Sequence, residues 1–503
     1  MPNSKDLILA LDQGTTSSRA VIYDAQAEVL SVGQIAFQQH YPQPGWVEHD
    51  AMEILSSQLA AVTGALVGEG IDAARIRCIG ITNQRETTVL WNRSTGLPIA
   101  PAIVWQCRRT TTMVDEITAD PVIFERIREK TGLIPDAYFS ASKIKWLLDN
   151  LPGAREQAES GELAFGTIDS WLIWHLTGGK SHATDYTNAS RTMLFNIHEG
   201  CWDEWLLDLF EVPRQLLPEV RPSASLFGHT EHSSLPDGIP VCGVAGDQQA
   251  ALFGQTCFEP GEAKNTFGTG CFLLVHTGNK APLSENQLLT TIAASAPGST
   301  QLEYALEGSV FVSGALIQWL RDELGLISSA AETEELARQV SDTGGVYIVP
   351  AFTGLGAPYW DMDARGAILG LTRGTTINHL ARAALEAMAF ELCDLVEAVE
   401  ADISLKLKHL KVDGGASAND FLLQFQSDLL DAEIFRPQNR ETTVLGAAFL
   451  AGLSSGLWKD TSKLKALVSG KDHATFTPVM PPEERKRHLD GWHRAVGRVL
   501  SNR

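Results

Sequence analysis

Three segments of the sequence combine an aspartate with glycine, serine, threonine or alanine directly after an apolar run. Small residues let backbone N–H groups approach phosphate oxygens, and hydroxyl side chains add further donors. One such segment is about as often an ordinary β-turn, because Asp, Gly and Thr are common turn residues. Three in one chain predict a nucleotide held between two domains. The segments are residues 11–19, 245–249 and 412–419.

The first segment lies in a pattern typical of strands joined by tight turns. Apolar runs at 7–11 and 20–23 flank its turn, and an alternating pattern follows at 28–37. A second copy of this opening pattern covers residues 262–276, with Thr269 at the centre of its turn. The repetition indicates two related halves.

Helical spacing alternates with these strands along the chain. Residues 51–67 follow Asp50, which we expect to be an N-cap, and two more helices are expected at 379–401 and 419–430. Alternating strands and helices predict an α/β fold with two layers of this kind. We place the domain boundary near Gly254, which gives an N-terminal domain at 1–254 and a C-terminal domain at 255–503.

Length and charge exclude several classes of protein. A chain of 503 residues with 44% hydrophobic residues can bury two large cores. Its net charge of −21 repels phosphate backbones and anionic membranes, so a nucleic-acid or peripheral-membrane role is not expected. Any phosphate site must therefore be built locally, by donors that converge on it.

The cysteines and the apolar runs indicate a cytoplasmic protein. The seven cysteines include no C-x-x-C pair, which favours reduced thiols over disulfides or a zinc cluster. The apolar run at 7–11 is too short for the core of a signal peptide, and no long uncharged stretch is expected to span a bilayer.

The order of the three segments resembles that of the ATPase superfamily that contains sugar kinases, actin and the Hsp70 chaperones. Residues 138–150, 366–371 and 379–386 are similar to patterns of the FGGY carbohydrate kinases, which actin and the chaperones lack. The resemblance implies two ribonuclease H-like (actin-like ATPase) domains with an active-site cleft between them. It implies ATP and Mg²⁺ as cofactors.

Within that family the chain is most similar to the glycerol kinases, over residues 7–458. The resemblance implies phosphorylation of glycerol by ATP to sn-glycerol 3-phosphate and ADP, in glycerol uptake and catabolism, and a homodimer or homotetramer. The segments that carry it are 81–88, 105–109, 185–192 and 265–272.

The implied reaction needs an alcohol aligned with the γ-phosphate and a group that accepts its proton. Asp247 follows a predicted strand in a glycine-flanked turn, and the resemblance assigns it as the catalytic base. A helix N-cap is its alternative role. The resemblance also places Asp12 and Asp247 near Mg²⁺, through bound water, since Mg²⁺ dehydrates reluctantly. For Asp12 the alternative is capping of the turn.

The resemblance places five residues of the two hairpin turns along the β- and γ-phosphates. An arginine among them supplies the positive charge that the acidic surface lacks. For threonines in strands, β-propensity is the alternative explanation. The five are Thr15, Thr16, Ser17, Arg19 and Thr269.

In glycerol kinases, five polar residues bind the three hydroxyls and two aromatic residues cover the carbon skeleton. An Arg–Glu pair supplies donor and acceptor together, and a bulky indole leaves no room for a larger sugar. The alternative readings are a solvated surface pair and a core tryptophan. The matching residues are Arg85, Glu86, Tyr138, Asp247 and Gln248, with Trp105 and Phe272 as the cover.

The resemblance assigns the adenosine end of the nucleotide to four further residues. Gly415 allows close backbone approach, and the Asn419 side-chain amide is available to the nucleotide. Gly314 and Gln318 match positions on the same wall, with helix packing as the alternative explanation for the glycine.

One departure from the family concerns regulation. Some bacterial glycerol kinases bind fructose 1,6-bisphosphate through a glycine-rich loop ending in arginine, and residues 229–238 do not match it. We therefore expect no response to that sugar bisphosphate through this loop. His229 and His232 are candidates for the phosphorylation that other members undergo on a loop histidine.

Two alternatives to a glycerol kinase stay open. A kinase for another small polyol or a ketose is the alternative within enzymes, and Trp105 with the Arg85–Glu86 pair argues against it. A catalytically inactive actin-like nucleotide-binding protein is the other alternative. The presence of both Asp12 and Asp247 argues against inactivity.

Overall fold

The computed structural model describes residues 5–299, 301–359, 361, 363–439, 441–469 and 473–501. Two large sheets dominate the fold, one of six strands and one of seven. In chain order their strands are β1 (Leu7–Gln13), β2 (Ser17–Tyr23), β3 (Val29–Ala36), β4 (Ile76–Asn83), β5 (Gly228–His229), β6 (Pro240–Gly246), β7 (Ala263–Phe267), β8 (Cys271–Gly278), β9 (Leu289–Ile292), β10 (Tyr304–Val310), β11 (His409–Gly414), β12 (Glu433–Pro437) and β13 (His473–Phe476).

Among the described residues, five small two-stranded sheets accompany them, formed by Glu48–His49 with Ala102–Ile103, Val89–Asn92 with Leu163–Gly166, Ala183–Asp185 with Glu219–Arg221, Phe195–Asn196 with Cys201–Trp202, and Tyr347–Val349 with Ala367–Leu369.

The helices cover both large sheets and fill the connections between strands. They are α1 (Ala51–Gly68), α2 (Thr111–Ile117), α3 (Pro121–Thr131), α4 (Ser140–Asn150), α5 (Ala154–Glu159), α6 (Ile168–Leu176), α7 (Tyr186–Ala189), α8 (Glu204–Leu209), α9 (Asp247–Gly254), α10 (Gly314–Asp322), α11 (Glu332–Arg338), α12 (Ile377–Ile403), α13 (Asp420–Leu430), α14 (Thr442–Ser454), α15 (Thr461–Ser469) and α16 (Pro482–Val496). Short 3₁₀ turns lie at Ala73–Arg75, Arg214–Leu216 and Gly415–Ala418.

The first sheet brings three strand ends to one edge. Its order is β5-β6-β4-β1-β2-β3; β1 to β3 form an antiparallel meander, and β4 and β6 run parallel to β1. Gln13 pairs with Asn83, and Asn83 pairs with Gly246. Because these strands are parallel, their carboxyl ends are neighbours. The residues that follow each strand therefore meet at this edge.

The second sheet repeats this plan with the order β9-β10-β8-β7-β11-β12-β13. Strands β7, β8 and β10 are antiparallel, and β11 and β12 run parallel to β7. Phe267 pairs with Gly414, so the β7–β8 turn and the end of β11 also share one edge. The predicted α/β fold and the two related halves are confirmed.

Helix α1 begins at the expected N-cap, and its apolar residues are explained by burial. The Asp50 carboxylate accepts hydrogen bonds from the backbone N–H of Met52 and of Glu53. Among the described residues, α1 is the one helix that is long and apolar enough to cross a membrane, judged by length and composition only. Its buried side, which includes Ile54, Ala61 and Val62, belongs to the core beside the first sheet.

Helix α14 lies late in the chain but packs against the first sheet. A Cβ on Gly446 would lie 1.9 Å from the Ala250 carbonyl oxygen, and one on Gly80 would lie 2.2 Å from that of Ala447. Glycine is required at both positions because backbones touch there. Helix α15 joins the same core through Leu464. The chain thus returns to its first half after building the second, and the boundary at Gly254 stays a prediction.

The seven cysteine thiols are free, and six of them are buried. Cys201 is the exposed one. Burial raises the pKa of several thiols, that of Cys242 to about 11, which keeps them protonated and unreactive. The expectation of unpaired cysteines is confirmed.

Candidate active site

The edge where β1, β4 and β6 end gathers the charged residues that the sequence pointed to. Asp12 lies within β1, Arg85 and Glu86 follow β4, and Asp247 follows β6 as the first residue of α9. The strand order explains this convergence, because β1, β4 and β6 are adjacent and parallel. Residues separated by more than 200 positions in sequence thereby become neighbours.

The turn between β1 and β2 is stabilised by hydrogen bonds within the turn and from Gln84. The Gly14 N–H donates to the Ser17 carbonyl at 3.0 Å, which closes the turn. The buried Gln84 amide donates to the Gly14 carbonyl at 3.0 Å. Thr16, at the tip, has an exposed side chain. The turn is thus held in shape while its tip stays accessible.

The side chains of the turn have different environments. The Thr15 hydroxyl accepts a hydrogen bond from the Trp105 indole N–H at 3.1 Å, and Ser17 Oγ accepts one from the Gln34 amide at 3.0 Å. Arg19 forms an ion pair with Glu441, which lies just before α14. In the described structure the positive charge of Arg19 therefore has a carboxylate partner.

Arg85 is buried and its guanidinium is bound on every edge. Its Nη1 and Nη2 donate to the two carboxylate oxygens of Glu307 at 2.5 and 2.9 Å. Nη1 also donates to Gln249 Oε1 at 3.2 Å, and Nε lies 3.1 Å from Asp247 Oδ1. Such a fork-to-fork arrangement fixes the plane of the guanidinium.

Glu86 is buried beside Arg85 in a strained conformation. Its φ is +59°, in the left-handed region that non-glycine residues rarely adopt. The Arg191 Nε donates to Glu86 Oε1 at 2.6 Å, and the Glu86 carbonyl accepts from Ser140 Oγ at 3.0 Å. Burial raises the pKa of Glu86, although Arg191 and Arg85 act in the opposite direction. Backbone strain at a buried charge is typical of functional sites.

Asp247 is partly exposed, in contrast to the buried Glu86. Its side chain is 33% exposed, and its Oδ1 accepts from the Gln248 N–H at 2.7 Å. Gly246 occupies the N-cap position of α9, and no side chain caps this helix end. Asp247 is therefore the first residue of α9 and not its N-cap residue, although its Oδ1 accepts from one N–H of the first turn.

Asp12 faces the same edge. Burial raises the pKa of Asp12 to about 7; Arg19 lowers it, and the charges of Asp247 and Glu441 raise it further. Both carboxylates lie at the edge where β1 and β6 end. Within the described part of the chain, no hydrogen bond or ion pair engages the side chain of Asp12. The turn that follows is closed by backbone atoms, so Asp12 is not needed as its cap.

Trp105 and Tyr138 form an aromatic corner next to this cluster. Their rings meet edge to face with centroids 5.4 Å apart. Lys143, on α4, donates to the carbonyls of Ala137 at 2.8 Å, Tyr138 at 2.5 Å and Phe139 at 3.1 Å. The buried ammonium of Lys143 thus fixes the loop that carries Tyr138.

Gln248 and Phe272 are linked through a buried lysine of the second sheet. Lys264 Nζ donates to Gln248 Oε1 and, at 3.3 Å, to the Phe272 carbonyl. Burial lowers the pKa of Lys264 to about 8, opposed by Asp413, Glu307 and Asp247. The second sheet therefore supplies a cation directly beneath the predicted acceptor residues.

The second sheet places the other predicted nucleotide residues along its own edge. Thr269 is exposed in the β7–β8 turn, and its carbonyl accepts from the N–H groups of Ser313 and Ala315 at 2.8 and 3.0 Å. A Cβ on Gly314 would lie 2.5 Å from the Gly268 carbonyl, so this glycine has a packing role. Gln318, one turn further along α10, is exposed.

Gly415 and Asn419 lie after β11. A Cβ on Gly415 would meet no atom within 4 Å, so its backbone borders open space. The Asn419 side chain caps α13, because its Oδ1 accepts from the Leu422 N–H at 2.9 Å. Its amide nitrogen lies 3.4 Å from Thr333 Oγ1. The side-chain oxygen of Asn419 is thus hydrogen-bonded to the first turn of α13, and its side-chain nitrogen faces Thr333 in α11.

The loop at 229–238 is short and internally bonded. The Thr230 hydroxyl donates to the Pro236 carbonyl at 2.6 Å. His229 is exposed, while His232 Nδ1 accepts from the Ser234 N–H at 3.2 Å. Neither histidine contacts the charged cluster in any described hydrogen bond or ion pair.

Comparisons with known proteins identify the family to which this fold belongs. Residues 7–254 match the N-terminal domain model of the FGGY family of carbohydrate kinases, and residues 263–455 match its C-terminal domain model. The chain belongs to the FGGY family of carbohydrate kinases. It is 58% identical over 498 residues to a glycerol kinase of Shewanella frigidimarina, covering 99% of each chain. It is 57% identical to a glycerol kinase of Carboxydothermus hydrogenoformans, covering 99% of this chain and 98% of the other.

Solved structures of FGGY kinases have the same fold. The crystal structure of Plasmodium falciparum glycerol kinase with ADP superposes with a TM-score of 0.93 and 38% identity, covering 99% of each chain. A ligand-bound xylulose kinase from Lactobacillus acidophilus superposes with a TM-score of 0.87, covers 99% of each chain and is 20% identical, which supports the fold alone.

Three charged residues of this site were missed by the sequence reasoning. Arg191 lies in segment 185–192, for which only the similarity to glycerol kinases was considered. Glu307 and Lys264 lie within strands of the second sheet. A signal was available, since a lone charge within a buried strand is expected only where it has a partner. Which partner it finds depends on the packing of the two sheets.

Proposed function

We propose that the chain transfers the γ-phosphate of ATP to glycerol, forming sn-glycerol 3-phosphate and ADP. One observation carries this proposal: Arg85, Glu86, Tyr138 and Asp247 converge at the edge where β1 presents its phosphate turn. The homology to glycerol kinases over nearly the whole chain supports glycerol as the acceptor. The solved homologue with ADP supports the use of a nucleotide.

Asp247 is the proposed general base. Its side chain is 33% exposed, whereas those of Glu86 and Glu307 are buried, and its Oδ1 is oriented by Arg85 Nε and by the Gln248 N–H. A carboxylate oriented in this way can accept the proton of a hydroxyl as that oxygen attacks the γ-phosphate. Because phosphoryl transfer depends mainly on alignment, a fixed base also helps to aim the nucleophile.

The acceptor pocket is proposed to consist of the buried cluster and its aromatic corner. Arg85 and Glu86 offer donor and acceptor groups side by side, and Gln248 adds an amide. Trp105 and Phe272 cover the three-carbon skeleton. The Trp105 indole also binds Thr15, so the wall of the acceptor pocket is tied to the phosphate turn.

The nucleotide is proposed to lie between the two turns. Thr15, Thr16, Ser17 and Thr269 would offer hydroxyl and backbone donors to the phosphates, with Arg19 exchanging its exposed partner Glu441 for them. The adenosine end would lie along Gly314, Gln318, Gly415 and Asn419. For Asn419, the amide nitrogen is the group left for the ligand, since the carbonyl oxygen caps α13.

The residues present fit Mg²⁺. Among the described residues the Asp12 side chain has no hydrogen-bond or ion-pair partner, and desolvation raises its pKa to about 7 although Arg19 lowers it. Two converging carboxylates without a shared cation suit a hard divalent ion bound through water. Asp12 and Asp247 would hold it. When bound, Mg²⁺ supplies positive charge to the ATP phosphates.

The test is ADP release with a panel of glycerol, erythritol, xylulose and ribulose at matched concentrations. We expect glycerol to give the highest kcat/KM, because Trp105 limits the length of the acceptor. A higher value for xylulose or erythritol would contradict the choice of glycerol. No ADP release with any acceptor would favour an inactive nucleotide-binding protein.

Four further properties are proposed: the cellular location, the oligomeric state, the response to a sugar bisphosphate and the modification of a loop histidine. The chain is expected to act in the cytoplasm as a homodimer or homotetramer. Fructose 1,6-bisphosphate should not change its rate through residues 229–238, and a response that survives only with this loop intact would contradict that. Phosphopeptide mapping of cell-derived protein would decide whether His229 or His232 is modified.

A further inference from the structure

The acceptor site contains a buried carboxylate that comes from the other half of the molecule. Glu307 lies in β10, in the second sheet, whereas Arg85 and Arg191 belong to the first half. Its side chain is fully buried and binds both arginines: Oε1 and Oε2 accept from Arg85 at 2.9 and 2.5 Å, and Oε1 accepts from Arg191 at 3.2 Å.

The geometry gives each edge of the Arg85 guanidinium a separate partner. Glu307 binds the two terminal nitrogens, which leaves the Nε edge directed at Asp247, 3.1 Å away. Gln249 supports the same orientation, and its own amide donates to Thr291 Oγ1 of β9 at 2.9 Å. Two strands of the second sheet thus determine how Arg85 is presented.

The charges show why this residue matters beyond packing. Arg85 and Arg191 repel each other, and Glu307 lies between them as the shared counter-charge. Burial raises the pKa of Glu307, but Arg191 and Arg85 outweigh it and lower the pKa to about 2. Glu307 is therefore ionised at any working pH.

We propose that Glu307 is a positioning residue for acceptor binding: it fixes Arg85 for the polyol and makes the second half of the chain part of the acceptor site. The inference rests on the proposed function, because it assumes that Arg85 binds the acceptor. Without this anchor, no described residue of the second sheet binds the terminal nitrogens of Arg85, so the plane of its guanidinium is no longer fixed for the acceptor.

A purely structural role predicts something different. If Glu307 only neutralises two buried arginines, removing its charge destabilises the fold and leaves the affinity of folded enzyme for glycerol unchanged. If it positions Arg85, the KM for the acceptor rises while the KM for ATP stays the same. The two roles are therefore separated by which KM changes.

The experiment compares the full-length wild type with Glu307→Gln, Glu307→Asp and the control Glu303→Gln. Glu303 lies four residues before Glu307, is 42% exposed and has His276 as its ion-pair partner, at 3.4 Å. We expect Glu307→Gln to raise the KM for glycerol at least about tenfold, with the KM for ATP within about twofold, since a charged hydrogen bond has been lost. Glu307→Asp should fall between Glu307→Gln and wild type, and Glu303→Gln should match wild type.

An unchanged KM for glycerol in folded Glu307→Gln, or equal increases for both substrates, would overturn the proposal. If Glu307→Gln does not fold, Glu307→Asp keeps the charge and decides alone: a selective rise in the glycerol KM supports the proposal, and no rise overturns it. If wild type uses another polyol in place of glycerol, the proposed substrate is wrong and the same comparison is made with that polyol. Absence of turnover with every polyol overturns both.

Discussion

Two buried carboxylates, Glu307 and Asp394, show how differently one chemical group is used in this protein. Glu307 accepts hydrogen bonds from two arginines at the junction of the two halves. Asp394, on α12, accepts from Tyr359 Oη at 2.8 Å, Trp492 Nε1 at 2.7 Å and His493 Nε2 at 3.2 Å. Its partners are neutral donors and one titratable imidazole, and they belong to the second half.

The difference concerns what each carboxylate holds in place. Glu307 holds the guanidinium of Arg85, whose Nε edge contacts Asp247, so the environment of Glu307 is part of the predicted chemistry. Asp394 fastens α16 to α12, and Trp492 stacks on Phe390 with centroids 5.2 Å apart. Burying two paired charges costs desolvation free energy, which favours a functional role for the pair that Glu307 forms. Neutral donors satisfy the hydrogen-bonding capacity of Asp394 and mainly contribute to stability. The comparison predicts changes in turnover for one cluster and in stability for the other.

The largest effect is expected at the end of the Glu307 cluster. Asp247→Asn removes the proton acceptor but preserves the shape of the side chain, so kcat should fall by about 10³-fold or more. Nucleotide binding should be retained, because Asp247 is not predicted to contact the adenosine. ADP release and ADP affinity together measure this. Turnover within about tenfold of wild type would show that Asp247 is not the base.

The next effect concerns the guanidinium itself. Arg85→Lys keeps the charge but loses the fork that binds Glu307 and Asp247 at once, so kcat/KM for glycerol should fall about 10²-fold. The KM for ATP should change little. Steady-state kinetics at saturating ATP checks this, with Arg108→Lys, an exposed arginine paired with Asp136, as the matched control. Equal loss in both variants would argue against a specific role.

The opposite outcome is expected at the second carboxylate. Asp394→Asn weakens hydrogen bonds from Tyr359, Trp492 and His493, so the free energy of unfolding should fall by about 1–3 kcal/mol. The glycerol KM and kcat should stay at wild-type values, because no described contact links this cluster to Asp247. A thermal melt paired with kinetics tests both halves of the prediction. A selective change in the glycerol KM would remove the distinction between the two clusters.

The smallest effect depends on pH. The hydrogen bond to Asp394 raises the pKa of His493, and Glu397 adds to the shift. A raised folded-state pKa adds stability that is fully present below the unfolded pKa, near 6.5, and is lost as pH rises through the folded value. His493→Gln should therefore lower the melting temperature at about pH 5.5 and have a smaller effect at about pH 8.5. An effect of the same size at both values would exclude protonation as its cause.

Much of the fold could be predicted from the sequence because its signals are local. Helix α1 begins where Asp50 caps it, and the β7–β8 hairpin was found as a copy of the opening pattern. The return of α14 to the first sheet could not be predicted. This helix is apolar and buried on all sides, so its sequence does not state which sheet it joins.

The site shows the same limit. Motifs identified Asp12 and Asp247, since each follows or ends a strand next to small residues, whereas Arg85 was identified through the resemblance to glycerol kinases. Glu307 and Lys264 were missed because the role of a charged residue within a strand depends on its partner, and tertiary packing determines which partner that is. In both cases that partner lies in the other half of the chain, more than 15 residues away in sequence.

A crystal structure of the chain with glycerol and ADP tests the central claim most directly. We predict that a terminal hydroxyl of glycerol lies within hydrogen-bond distance of Asp247, that the other hydroxyls contact Arg85 and Glu86, and that Arg85 still binds Glu307. Glycerol bound away from Asp247, or an Arg85 that leaves Glu307 to bind it, would contradict the account.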